Sequence, residues 1–185
     1  MKKIISLYQR NYDGDRLVRD EIVPGAEWVA EGEGVATRKW DGTACLVRDG
    51  KCYKRYDAKP GRVPPVGWEA CQEPDPITGH HPGWTPVGDG PEDQWFRVAF
   101  RLGFENGRPL PNGTYELCGP HIQQNPEHLL FEELLPHGRD TLSDVPRDYA
   151  GVKTWLADHD VEGIVWHHPD GRMVKIKKRD FGLKR

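Results

Sequence analysis

Glycine and proline punctuate this chain from end to end, with 21 glycines and 16 prolines among 185 residues. Glycine admits backbone angles closed to other residues, and proline ends helices or sits at strand edges. Punctuation this dense predicts short strands joined by turns, not a helix bundle. The sharpest turn signal is Asp49-Gly50, which joins two strand-like runs, Thr43 to Arg48 and Lys51 to Tyr56, as a hairpin. Gly113 to Gly119 reads as a further strand. Ile164-Val165-Trp166 and Met173 to Lys177 read as two more, joined at Pro169-Asp170-Gly171. Tyr149, Val152, Trp155 and Leu156 recur at helical spacing and predict an amphipathic helix over residues 146–159. Asn125-Pro126-Glu127 has the pattern of a helix start, with Asn125 as cap. Pro60 to Asp93 has little periodicity and reads as a long loop, ordered by Trp68 and Trp84. The class expected is α+β with antiparallel sheets, in one domain spanning 1–185.

The chain is 36% hydrophobic and 30% charged, ordinary for a globular protein. No apolar run approaches the roughly 20 residues of a membrane span, and Met1 to Leu7 is no signal peptide. The cysteines at 45, 52, 71 and 118 form no C-x-x-C pair, so free thiols in a reducing cytoplasm are expected. Net charge is −3, yet Arg172 to Arg185 holds seven basic residues and one acidic one. Such a segment either contacts phosphates or is a solvated tail, and charge alone leaves both open.

Four features carry chemistry. Lys39-Trp40-Asp41-Gly42-Thr43 sits between strand-like Val35-Ala36-Thr37 and Ala44 to Val47. A lysine amine becomes a good nucleophile when burial or nearby cations favour its neutral form. Alone, K-x-D-G is more readily a surface turn. Later, Glu162-Gly163-Ile164-Val165-Trp166 is followed by Met173-Val174-Lys175-Ile176-Lys177. Alternate side chains of a strand share a face, so Lys175 and Lys177 point one way and Val174 and Ile176 the other. Two cations aimed into one pocket suit a triphosphate, and Glu162 could hold a divalent cation beside them. Tyr115-Glu116-Leu117 places a carboxylate on a strand, and Tyr53-Lys54-Arg55-Tyr56-Asp57 is a basic strand. Each of these two, taken alone, is more readily structural than functional.

Their order, K-x-D-G, basic strand, Y-E-L, E-G-I-V, K-I-K, resembles the covalent nucleotidyltransferase superfamily of polynucleotide ligases and mRNA-capping enzymes, from about Thr37 to Phe181. The resemblance implies that Lys39 accepts the nucleotide, with Asp41 and Gly42 completing its motif. It assigns a basic contact to Arg55, the nucleoside sugar to Glu116, a metal to Glu162, and the phosphates to Lys175 and Lys177. Phe131 is the candidate for stacking on adenine. K-W-D-G-T, K-R-Y-D-A-K-P, T-G-H-H-P-G-W-T-P-V, E-L-C-G-P-H-I-Q-Q-N-P-E, L-P-H-G, E-G-I-V-W-H and K-I-K-K-R resemble more narrowly the small 5′-to-3′ RNA ligase family. Arg38 stands where many ligases have glutamate, and Ala44 and Cys45 where DNA ligases often carry an arginine. Only eight residues follow Lys177, so no OB or other C-terminal accessory domain is expected.

The resemblance implies a nucleotidyltransferase (ligase adenylylation-domain) fold of two antiparallel β-sheets with flanking helices. It implies an ATP-dependent RNA ligase using Mg²⁺ or Mn²⁺ and joining RNA 5′-phosphate and 3′-hydroxyl ends through lysyl-AMP. No membrane and no obligate protein partner are expected. The alternatives are a capping guanylyltransferase, a DNA nick ligase, or a catalytically silent RNA-end-binding module. Trp68, His80, His81 and Trp84 are expected either to stack on bases or to pack on the sheet.

Overall fold

The computed structural model describes residues 2–76, 78–105 and 110–185. In chain order the elements are β1 (Ile5–Ser6), β2 (Tyr8–Arg10), β3 (Val18–Ile22), α1 (Glu27–Ala30), β4 (Val35–Lys39), β5 (Thr43–Arg48), β6 (Lys51–Ala58), β7 (Glu69–Ala70) and β8 (His81–Pro86). They continue with α2 (Gln94–Glu105), β9 (Gly113–Cys118), β10 (Glu133–Pro136), α3 (Tyr149–Asp158), β11 (Gly163–His167) and β12 (Met173–Lys177). The architecture is mixed α+β, with several sheets and few helices. The chain divides into two compact units, one of Met1–Lys3 with Asp41–His137, the other of Ile4–Trp40 with Gly138–Arg185.

The second unit holds a four-stranded sheet in the order β1-β12-β11-β4 and a β2-β3 ribbon. Here β4, β11 and β12 pair antiparallel as expected, but β1 joins β12 in parallel, so this sheet is mixed. Its core gathers Leu7, Trp28, Val29, Ala36, Leu156, Ile164, Trp166, Val174 and Ile176. The predicted helix is α3. Its cap is Asp148, whose carboxylate accepts from Gly151 N at 2.8 Å, and it buries Val152 and Leu156.

The first unit holds a six-stranded antiparallel sheet, β10-β9-β5-β6-β8-β7. The hairpin turns as its sequence predicts: Asp49 and Gly50 have φ of 51° and 70°, the paired positive values of a type I′ turn. Cys45, Val47, Cys52, Tyr115 and Leu117 pack against Phe96 and Ala99 of α2.

Two expectations need correction here. Pro60 to Asp93 is not all loop, because the full length of β8 pairs with Tyr53 to Ala58 of β6. Its sequence, HPGWTP, hides the alternation of a strand behind two prolines and a glycine. Gly83 is required there, since a Cβ would run into the Trp68 ring and Glu69 O. Likewise no helix starts at Asn125. Gln123, Gln124 and Asn125 have φ of 47°, 64° and 54°, the left-handed region, which no right-handed helix tolerates in succession. The Asn125 side chain instead closes a turn, accepting from Leu129 N and donating to Leu129 O, both at 2.9 Å. In addition, α2 had no sequence expectation, although Phe96, Ala99 and Phe100 follow helical spacing.

Candidate functional site

In the second unit, strand register builds a row of charge. Gly163 of β11 lies opposite Lys39 of β4 on one side and Lys177 of β12 on the other. One step along the same face, Val165 lies between Thr37 and Lys175. Lys39, Lys175 and Lys177 therefore share a sheet face, while Ile164, Val174 and Ile176 face the core. Gly163 has no side chain to stand between the lysines, and a Cβ there would meet Ile176 O. Glu162 ends the approach to β11. One of its carboxylate oxygens accepts from Lys39 Nζ and the other from Lys177 Nζ. The sequence-level grouping of Lys39, Glu162, Lys175 and Lys177 is thus brought together.

The energetics of this row are tense. Burial alone would raise the Glu162 pKa, but Lys39 and Lys177 outweigh it and hold the carboxyl below its usual range. Burial, with Lys177 and Lys39 nearby, pushes the Lys175 ammonium down to about 8. Burial and Lys39 also lower Lys177, partly offset by Glu162. A site that destabilises its own cations is suited to an anionic ligand that restores them. Arg38 faces away from the row, its guanidinium stacked 4.5 Å from the Trp40 ring centroid and bonded to Asp160 O at 3.1 Å.

The first unit holds the remaining candidates. Gly42 is a packing requirement, since a Cβ there would collide with Leu117 O and crowd Cys118 and Glu116. The Asp41-Gly42 backbone is gripped by residues given no role in the sequence reading. Glu127, which is buried, accepts from Asp41 N at 2.9 Å, and Gln123 donates to Gly42 O. Glu116 is buried on β9 and accepts from His137 Nε2 at 2.8 Å. Glu127, Gln123 and His137 lie in the strings E-L-C-G-P-H-I-Q-Q-N-P-E and L-P-H-G, and that was the available signal. Arg55 lies over the Trp84 ring at 5.3 Å and beside Asp57 at 3.3 Å. Phe131 is 63% exposed, on the segment before β10.

Other residues singled out by the sequence have definite surroundings. Trp84 is buried within β8, and Trp68 packs edge-on against His81 while donating to Tyr56 O at 3.3 Å. Both tryptophans therefore pack on the sheet. The basic tail is also more committed than its charge suggests. Lys178 is buried, Arg172 pairs with Asp170 and Arg185 with Asp160. All four cysteines are free thiols, three of them buried.

No group of three or more His, Cys, Asp or Glu that could hold a metal occurs among the described residues. A Mg²⁺-like ion would not require one, because such ions keep waters and commonly take one carboxylate plus substrate phosphates. Glu162 is the carboxylate beside the lysine row, and since Lys39 and Lys177 engage both its oxygens, an ion held there would have to take the place of an ammonium group. No helix among the described residues is long and apolar enough to cross a membrane.

The family described as RNA ligase 1 matches residues 102–185, which takes in Glu116, Phe131, Glu162, Lys175 and Lys177 but not Lys39. A mouse protein named RNA ligase 1 is 27% identical over 219 aligned residues, covering 80% of this chain and 67% of that protein. The rat protein of that name is 26% identical over the same shares. The zebrafish one is 31% identical over 137 residues, covering 57% of this chain and 42% of that protein. The chain thus resembles the RNA ligase 1 family.

Proposed function

We propose that this chain is an ATP-dependent RNA ligase with a nucleotidyltransferase fold, carrying AMP on Lys39. The observation that supports this most is the single Glu162 carboxylate held by both Lys39 and Lys177, with Lys175 on the same face. Glu162 is the counterion that lets Lys39 and Lys177 share one sheet face with Lys175. ATP phosphates are stronger partners for those ammonium groups and would replace it at Lys177 and pair with Lys175.

In the first step the Lys39 amine, having lost its proton, bonds to the α-phosphorus. The bond from that phosphorus to the bridging oxygen breaks, and pyrophosphate leaves. In the second, an oxygen of an RNA 5′-phosphate bonds to the same phosphorus and the Lys39–phosphorus bond breaks. In the third, a 3′-hydroxyl oxygen attacks the activated 5′-phosphate, AMP leaves, and the strand is sealed. Every step is displacement at phosphorus, so the protein's work is positioning and charge neutralisation, which Lys175 and Lys177 supply. A divalent ion at Glu162 would add neutralisation of phosphate charge. Arg55, Glu116 and Phe131 keep the roles that the resemblance gives them. Asp41 and Gly42 anchor the nucleotide-carrying segment through the Glu127 and Gln123 grip.

The test is a gel assay with matched RNA and DNA substrates, each with and without a 5′-phosphate. Joining of RNA only when the 5′-phosphate is present is the expected result. Efficient sealing of nicked DNA with no action on RNA would overturn the RNA assignment and leave the lysyl-AMP chemistry standing.

A further inference from the structure

His137 has no assigned role, yet its placement is specific. Strands β9 and β10 pair with Leu135 opposite Glu116 and Pro136 opposite Tyr115. The ladder runs one residue further, because His137 N donates to Thr114 O at 3.1 Å. Side chains alternate along the strand, so His137 falls on the same face as Glu116, as its diagonal neighbour across the pair. Its Nε2 lies 2.8 Å from Glu116 Oε2. A carboxylate oxygen can only accept, so Nε2 carries the proton of this bond. Nδ1 is buried and has no hydrogen-bond partner among the described residues. The imidazole thus has one polar task, to donate to Glu116. That is also the only hydrogen bond the Glu116 side chain makes among the described residues. One carboxylate oxygen is occupied and oriented, and the other is left to accept from something else.

We propose that His137 is a positioning residue for sugar recognition. It fixes the Glu116 carboxylate so that Oε1 presents a single, directed acceptor to a ribose hydroxyl. The inference rests on the reading of Glu116 as the sugar contact, and it adds the residue that makes this contact selective. A carboxylate free to rotate would present either oxygen over a range of angles and would discriminate poorly between a sugar with the hydroxyl and one without it. A charge-assisted hydrogen bond lost in this way corresponds to roughly tenfold or more in affinity.

The test is calorimetric binding of AMP, 2′-deoxy-AMP and 3′-deoxy-AMP to the full chain. AMP has no pyrophosphate to displace, so binding is measured without reaction at Lys39. The wild-type protein should bind AMP about tenfold more tightly than at least one deoxy analogue. His137→Leu should bring that ratio to within about twofold, and His137→Gln, whose amide nitrogen reaches the Nε2 position, should restore it. His137→Asn is too short to reach and should behave as His137→Leu does, which covers the case in which the leucine variant fails to fold. An unchanged ratio in the Leu and Asn variants, equal weakening of all three ligands, or no discrimination by the wild type would each overturn the proposal. Adenylylation is scored separately on the same samples. Loss of lysyl-AMP with sugar discrimination intact would sink the ligase reading alone. Normal lysyl-AMP with an unchanged ratio would sink the His137 role alone.

Discussion

In the unit that holds Lys39, one carboxylate is shared by two ammonium groups, with a third lysine on the same face. In the unit that holds Glu116, one carboxylate is matched by one imidazole, with an oxygen to spare. Both rest on the same device, a cross-strand row on an antiparallel pair, and both need a glycine where backbones crowd, Gly163 in one and Gly42 in the other. They differ in what they lack. The first has excess positive charge pressed together and is relieved by an anion. The second is already paired and lacks only a donor. Excess charge in the first row favours an anionic partner, and a spare carboxylate oxygen in the second favours a hydrogen-bond donor.

The largest expected effects come from breaking the first row. Lys177→Ala should lower AMP transfer by about a hundredfold or more, because a transition-state phosphate contact is gone. Its melting temperature should match or exceed wild type, since Glu162 keeps Lys39 and a strained cation is removed. Glu162→Gln should lose transfer and also stability, on the order of 2 kcal/mol, because the shared counterion is lost. Equal melting temperatures for the two variants would contradict the view of Glu162 as the common counterion.

A middle-sized effect concerns pH. Lys175 is held at about 8 against an ordinary value of 10.5. The folded protein therefore binds fewer protons than the unfolded chain between those values, and its burial cost, full below pH 8, is relieved as pH rises toward 10.5. Lys175→Met should be more stable than wild type at pH 7, on the order of 2 kcal/mol, with the gap closing by pH 10. A phosphate ligand restores the charge, so ATP binding at pH 8 to 9 should take up a proton and should weaken as pH climbs. A gap that stays constant with pH would show that Lys175 is not the strained cation.

Much of this was legible in the sequence, for identifiable reasons. The hairpin at Asp49-Gly50 and the helix capped by Asp148 depend on local chemistry, which a sequence displays. The face shared by Lys175 and Lys177 follows from alternation alone. The pairing of Lys39 with Glu162 depends on β4 meeting β11, with a sequence separation of over a hundred residues, and only the motif order hinted at it. β8 was hidden because Trp68, far from it in sequence, makes Gly83 fit a strand. The turn at Gln123 to Asn125 was misread because Asn-Pro caps a helix and closes a turn with equal ease.

The smallest expected effect separates the rows from the basic tail. Arg172 and Arg185 are in ion pairs, so Arg185→Ala should change RNA sealing by less than about twofold. Replacing Arg179 and Lys184 together should reduce the slope of log affinity against log salt by roughly one to two. A larger loss from Arg185→Ala than from that double variant would reverse the assignment.

The most direct test of lysyl-AMP chemistry is the intact mass of the protein after incubation with Mg²⁺ and either ATP or GTP. A gain of one AMP unit with ATP, none with GTP, and none in Lys39→Ala is the expected result. A gain with GTP alone would favour a guanylyltransferase, and modification mapped to any lysine other than Lys39 would contradict the site.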